Sequence, residues 1–331
     1  MRPLPLALAG TACISSSAVV MQLAGTSASL TAVGRCVFAL PVLGAMMVYE
    51  RRRGSSAGIL TARGRWLARL AGCFLAADLI VWSHAISAIG AGLATVVPNL
   101  QVVVVALLGW LVLRERPDRS LLLAAPAMIA GLALVGGLTG AHVYGADPAA
   151  GVTEGAAVAV LYAVYIFALR QATASAGRPS PIAVLFQATL GAAVAAGVLG
   201  FFLHDFRLGH AWPALGWLVV LALTSQVLGW LLITASMSRL QAWMIGVVLL
   251  TQPAGSVLLG YLVLNQRPAP IQLLGMTLIL IGVLVAVTRS ASRSASRQAS
   301  EHQDHAPGAG IVQADVAIEV AVASGDGETA G

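Results

Sequence analysis

The 331-residue chain is 58% hydrophobic and 10% charged, with a formal net charge of +6 and an isoelectric point near 9.9. That mixture excludes an ordinary soluble domain. All 19 basic residues are arginines; they flank apolar runs and form no basic face interleaved with aromatics, which argues against nucleic acid and for membrane topology.

A helix that crosses a bilayer needs about 20 mostly apolar residues. The first such run, Leu4–Ala24, follows Arg2 and ends near AGTSAS, so it imitates a secretory signal peptide. The repeat described below needs it as a span, and it is read as one. The next spans are Leu30–Tyr49, Leu67–Ser87, Ala91–Leu113 and Ser120–Leu138. Five more follow: Thr153–Leu169, Ile182–Leu203, Ala214–Met237, Gln241–Leu264 and Ile271–Thr288. Pro117 ends the fourth span and Asp118 caps the fifth; Thr153 and Glu154 read as the N-cap and first-turn acid of the sixth. In the seventh, GAAVAAGVLG (Gly191–Gly200) offers a small-residue face for close backbone approach. Cys13, Cys36 and Cys73 all fall inside spans, with neither a disulfide framework nor a zinc spacing. Beyond Arg289 the composition turns polar, and residues 290–331 are expected to be a disordered cytoplasmic tail whose arginines, at four-residue spacing, touch anionic headgroups.

The connections supply a second signal. Arginines crowd the second, fourth, sixth and eighth connections and the two termini, whereas the odd-numbered connections carry only Arg207 and Arg267. By the positive-inside rule both termini face the cytoplasm of a plasma-membrane protein.

One stretch occurs twice. LGWLVLRERP (Leu108–Pro117) and LGYLVLNQRP (Leu259–Pro268) match at seven of ten positions, and the same register pairs Gln101 with Gln252 and Gly131 with Gly282. The expected fold is therefore all-α: ten transmembrane helices as two five-helix repeats, residues 1–144 and 145–289. Five is odd, so the second repeat enters the membrane inverted.

With its P…LG(W/Y)LVL…RP segments, Arg35 early in the second helix and SQVLGW (Ser225–Trp230) in the eighth, the chain resembles the drug/metabolite transporter superfamily, EamA type, over roughly residues 4–288. The resemblance implies a secondary transporter of small polar or amphipathic metabolites or drugs, working as an exporter. The family usually has an acid at the end of the fourth and ninth helices. Glu115 keeps it, but Gln266 stands in its place in the second repeat.

Charges at membrane depth are costly and need an explanation. Asp78 lies about nine residues from one end of the third helix, roughly 13 Å, near the midplane. Trp82 is one turn on, and aligning it with Trp230 sets Asp78 opposite Gln226. Each repeat thus brings a polar residue and a tryptophan to a shared central cavity, the place where inverted-repeat carriers bind solute. The plainer alternative pairs Asp78 with Arg35 or His84 as a structural bond. Arg35 serves the substrate pathway or snorkels to the interface. Pro98 and Pro253 each free a carbonyl at mid-span, and Gln101 and Gln252 lie beside them. His84 and Glu115 are secondary candidates: His84 suits packing or a proton relay, and Glu115 suits the cytoplasmic mouth, balanced by Arg114, Arg116 or Arg119.

The chain has no lysine and hence no phosphate-loop motif, so movement is downhill or ion-coupled, with protons at Asp78 the expected coupling ion. Ser15, Ser16, Ser17, His84 and Asp78 supply residue types for an intramembrane enzyme, the rival reading, but no GxSxG elbow or HExxH is present. A non-transporting scaffold or sensor is the third. No cofactor or metal is expected. The partners are a small-molecule substrate and the bilayer, not nucleic acid, with a homodimer left open.

Overall fold

In hydrocarbon a backbone must satisfy its own N–H and C=O groups, so long apolar runs become helices. The computed structural model describes residues 3–53, 60–114, 119–138, 143–174, 180–207, 211–237 and 242–304, and every regular element among them is helical. The first half comprises α1 (Pro3–Ser15), α2 (Ser17–Ala24), α3 (Ala28–Arg52), α4 (Ala62–Ile89), α5 (Ala91–Val96), a 3-10 turn (Val97–Leu100), α6 (Gln101–Leu113) and α7 (Arg119–Val135). The second comprises α8 (Pro148–Ala174), α9 (Pro181–Phe202), α10 (Ala211–Leu221), a π-helical turn (Ala222–Gly229), α11 (Trp230–Met237), α12 (Ala242–Leu264) and α13 (Pro270–Asp304).

Seven stretches are long and apolar enough to cross a membrane, and three shorter apolar helices, Leu123–Val135, Val248–Leu264 and Pro270–Ala286, lie where the fifth, ninth and tenth spans were expected.

Local chemistry accounts for the irregularities. In the first span Ser15, Ser16 and Ser17 turn their hydroxyls back to the carbonyls of Thr11, Cys13 and Ile14 at 2.7 to 2.8 Å, and the helix breaks at Ser16. In the fourth, Pro98 withholds an N–H and the helix tightens into the 3-10 turn. Pro253, the internal proline of the second repeat's corresponding span, sits inside an unbroken α12. The sixth span starts earlier than expected. Asp147 Oδ1 accepts from the Ala150 N–H at 2.9 Å, so Asp147 is the cap, whereas Thr153 and Glu154 lie inside α8. The last helix also outruns its expected end at Thr288. It continues to Asp304, so residues 290–304 of the expected disordered tail are helical, while 305–331 lie outside the described residues. So do Pro117 and Asp118.

The two halves interleave within the compact unit Met1–Thr288. The first span packs on the eighth and ninth through α1 against α11 and α12, α5 packs on α12, and α3 and α4 both pack on α9. The α4–α9 contact uses the expected small-residue face: a Cβ on Gly72 would run into the Ala188 carbonyl, and one on Gly191 into the Arg69 carbonyl. Backbones this close leave room only for hydrogen at those positions.

Candidate functional site: a central cavity between the halves

A cavity of about 530 Å³ lies between the two halves, a volume typical of small-molecule sites. The first half contributes Arg35, Asp78, Trp82, Pro98 and Gln101 to its wall, and the second contributes Gln226, Trp230, Gln252 and Pro253.

Asp78 is 5% exposed and sits near the middle of α4; its Oδ1 is buried without a hydrogen-bond partner. Arg35, on α3, is 7% exposed and does not turn to that carboxylate. Its Nε donates to Gln226 Oε1 at 2.9 Å and its Nη2 reaches Ser225 Oγ at 3.4 Å. Gln226 Nε2 in turn reaches Thr189 Oγ1 on α9 at 3.4 Å. A cation from the first half is thus held by neutral oxygens of the second, and Arg35 does not snorkel. Arg35 and Asp78 line one cavity without a hydrogen bond between them, an arrangement that leaves the buried carboxyl short of a partner.

Trp82 is fixed by its indole N–H, which donates to the Ala94 carbonyl at 2.9 Å. Asn99 Nδ2 donates to the Thr95 and Val96 carbonyls at 3.0 and 2.9 Å. The loosened backbone around Pro98 is therefore satisfied by side chains, and the Ala94 carbonyl is not open to solute. On the facing wall Pro253 withholds its donor from the carbonyl of Leu249, a residue that also lines the cavity.

A scan against protein families matches the EamA-like transporter family over residues 1–137 and again over 150–288. The chain belongs to the EamA-like transporter family. It is accordingly a multi-pass membrane protein and a membrane transporter of small molecules. No curated protein matches. One solved crystal structure of a protein is similar over 88% of this chain and 99% of its own, with a TM-score of 0.57 at 19% identity, a likeness of fold alone.

In this EamA-like transporter the cavity also takes in Ser17, considered from the sequence only for the enzyme reading, and residues that sequence reasoning missed: Thr95, Asn99, Tyr162 and Tyr165. The two tyrosine rings lie 5.5 Å apart and tilted by 55°. Their i, i+3 spacing on α8 was the available signal. His84, by contrast, is exposed, two residues past Trp82, and does not line the cavity. Glu115 lies outside the described residues. Glu154 has one carboxylate oxygen buried without a hydrogen-bond partner, but it stands apart from the cavity wall. Between the halves' loops, partial burial pushes the Tyr144 hydroxyl above the ordinary phenol value.

Proposed function

We propose that this EamA-like transporter is a secondary carrier that exports a small polar or amphipathic solute from the cytoplasm, by alternating access around the central cavity. In this reading ten spans form two inverted five-helix repeats, with both termini cytoplasmic and Asp78 carrying the coupling proton. The single observation behind it is convergence: nine residues nominated from the sequence, drawn from both repeats, line one cavity.

The chemistry of the wall suggests the kind of solute. Asp78 offers a carboxyl oxygen with no hydrogen-bond partner among the described residues, and Arg35 offers a cation hydrogen-bonded to neutral groups. A solute bearing both an ammonium and a carboxylate satisfies the two at once, while Trp82, Trp230 and Tyr162 supply apolar contact. Amino acids head the list of solutes to try, ahead of nucleosides, sugars and organic cations.

Thermal-shift screening of the purified protein against those classes, followed by counterflow in proteoliposomes, tests the proposal. A binding solute at a hundredfold excess over its dissociation constant stabilises the fold by about 2.7 kcal/mol, a readable shift. Saturable flux of one class is the expected result. Absence of both shift and flux for every class would favour a scaffold or sensor.

A further inference from the structure

Gln266 lies in the connection between α12 and α13, yet its side chain is 6% exposed. Its Oε1 accepts from the N–H of Ala91, the first residue of α5, at 3.0 Å. Its Nε2 donates to Gln22 Oε1 at 2.5 Å, and Gln22 passes a donor on to the Ile86 carbonyl at 3.3 Å. One amide of the second half therefore caps a helix of the first and clasps another. The backbone is shaped around it: a Cβ on Gly90 would meet Gln266 Oε1 at 2.9 Å, and one on Gly260 would meet it at 2.8 Å. Gly90 also has φ +85°, a conformation that other residues resist.

This clasp stands about one helical turn, roughly 6 Å, beyond the cavity. Trp82, Thr95 and Ser17 line the cavity, whereas the clasp engages Ile86, Ala91 and Gln22, four to five residues further along the same helices. Fully buried Leu93 lies between the two on α5, and fully buried Ile86 and Ile89 pack at the level of the clasp and beyond it. At the other end the wall runs through Val105 and Ile166, toward the helix ends that carry Arg114 and Arg170, and through Leu249 in the first third of α12. The cavity is closed at its arginine-poor end and reaches toward its arginine-rich end.

We propose that Gln266 is the latch of the arginine-poor gate, and that solute passes on that side only when its amide leaves Ala91 and Gln22. The amide is suited to the task because it accepts from one partner and donates to the other at the same time. A carboxylate at this position cannot donate to Gln22 Oε1. The bonds are few and uncharged, so they break and re-form without moving a charge through the gate.

The proposal rests on the transporter reading but is tested without any solute. In a background with Cys13, Cys36 and Cys73 replaced by alanine, Thr95→Cys reports access from the arginine-poor side to a membrane-impermeant thiol reagent. Gln266→Ala is expected to raise the labelling rate from that side by about tenfold, the population shift for losing two hydrogen bonds. Should that variant fail to insert, Gln22→Ala removes one of the two bonds and is expected to give a smaller rise. An unchanged rate in the inserted variant overturns the latch. Faster labelling with no flux of any solute would leave the latch standing and remove the transporter reading; flux with unchanged labelling would do the opposite.

Discussion

The indole N–H of Trp82 occupies the Ala94 carbonyl at 2.9 Å. In an uninterrupted helix that carbonyl would receive the N–H of residue 98, and residue 98 is proline. A side chain from α4 thus completes a hydrogen bond that the fourth span cannot make for itself. The tryptophan is held in the cavity wall by a backbone defect, and the defect is tolerated because of the tryptophan.

That dependence makes a double-mutant test. Trp82→Phe keeps an aromatic ring but strands the Ala94 carbonyl, and should cost about 1–3 kcal/mol of stability. Adding Pro98→Ala restores an N–H in the helix and should recover most of the loss, although Pro98→Ala alone gains little. Unfolding in detergent of the four proteins measures the coupling; simple additivity would show that the two residues act independently.

Asp78→Asn preserves size and hydrogen bonding while removing titration. The variant should insert and bind solute, but lose accumulation against a gradient and the pH dependence of flux. Proteoliposomes with an imposed pH difference, wild type beside variant, provide the measurement. Equal accumulation would move the coupling site away from Asp78.

On α9, Gly191 and Gly197 should respond in opposite directions to alanine. At Gly191 the new methyl meets the Arg69 carbonyl and forces α4 and α9 apart, costing about 1–3 kcal/mol. At Gly197 nothing lies within 4 Å, so alanine only improves the helix, by about 0.5–1 kcal/mol. Thermal unfolding of the two variants separates them.

Orientation is tested by cysteine accessibility in intact cells. A cysteine at Ala146, on the arginine-poor side, should react with an impermeant thiol reagent, and one at Ser55 should not. The reverse pattern would turn the molecule over.

Much of this architecture was legible because membrane burial leaves few choices. Apolar length marked the helices, and the duplicated LG(W/Y)LVL segment set one half in register with the other. Charge cost then picked out Asp78 and Arg35, and both line the cavity. What escaped was decided by geometry rather than residue type. Tyr162 and Tyr165 are ordinary residues for an apolar span, so only their facing direction on α8 assigns them to the cavity. Each repeat carries one proline in this span, but the register that pairs Gln101 with Gln252 sets Pro98 against Leu249 and Pro253 against Val102, and only Pro98 breaks its helix. Asn99, two carbonyls within its reach, follows Pro98; the residue after Pro253 is Ala254.

The π-helical turn from Ala222 to Gly229 carries Gln226, the residue that holds Arg35. Such a turn bonds five residues back where an α-helix bonds four, so it stores one residue of surplus register. One residue corresponds to about 100° of rotation around an α-helix. If the surplus slid out along the span, α11 would swivel by that angle, carrying Trp230 and Ile233 off the cavity while α10 stayed where it packs on α2. The eighth span therefore holds its one residue of spare register at the depth where the arginine is held.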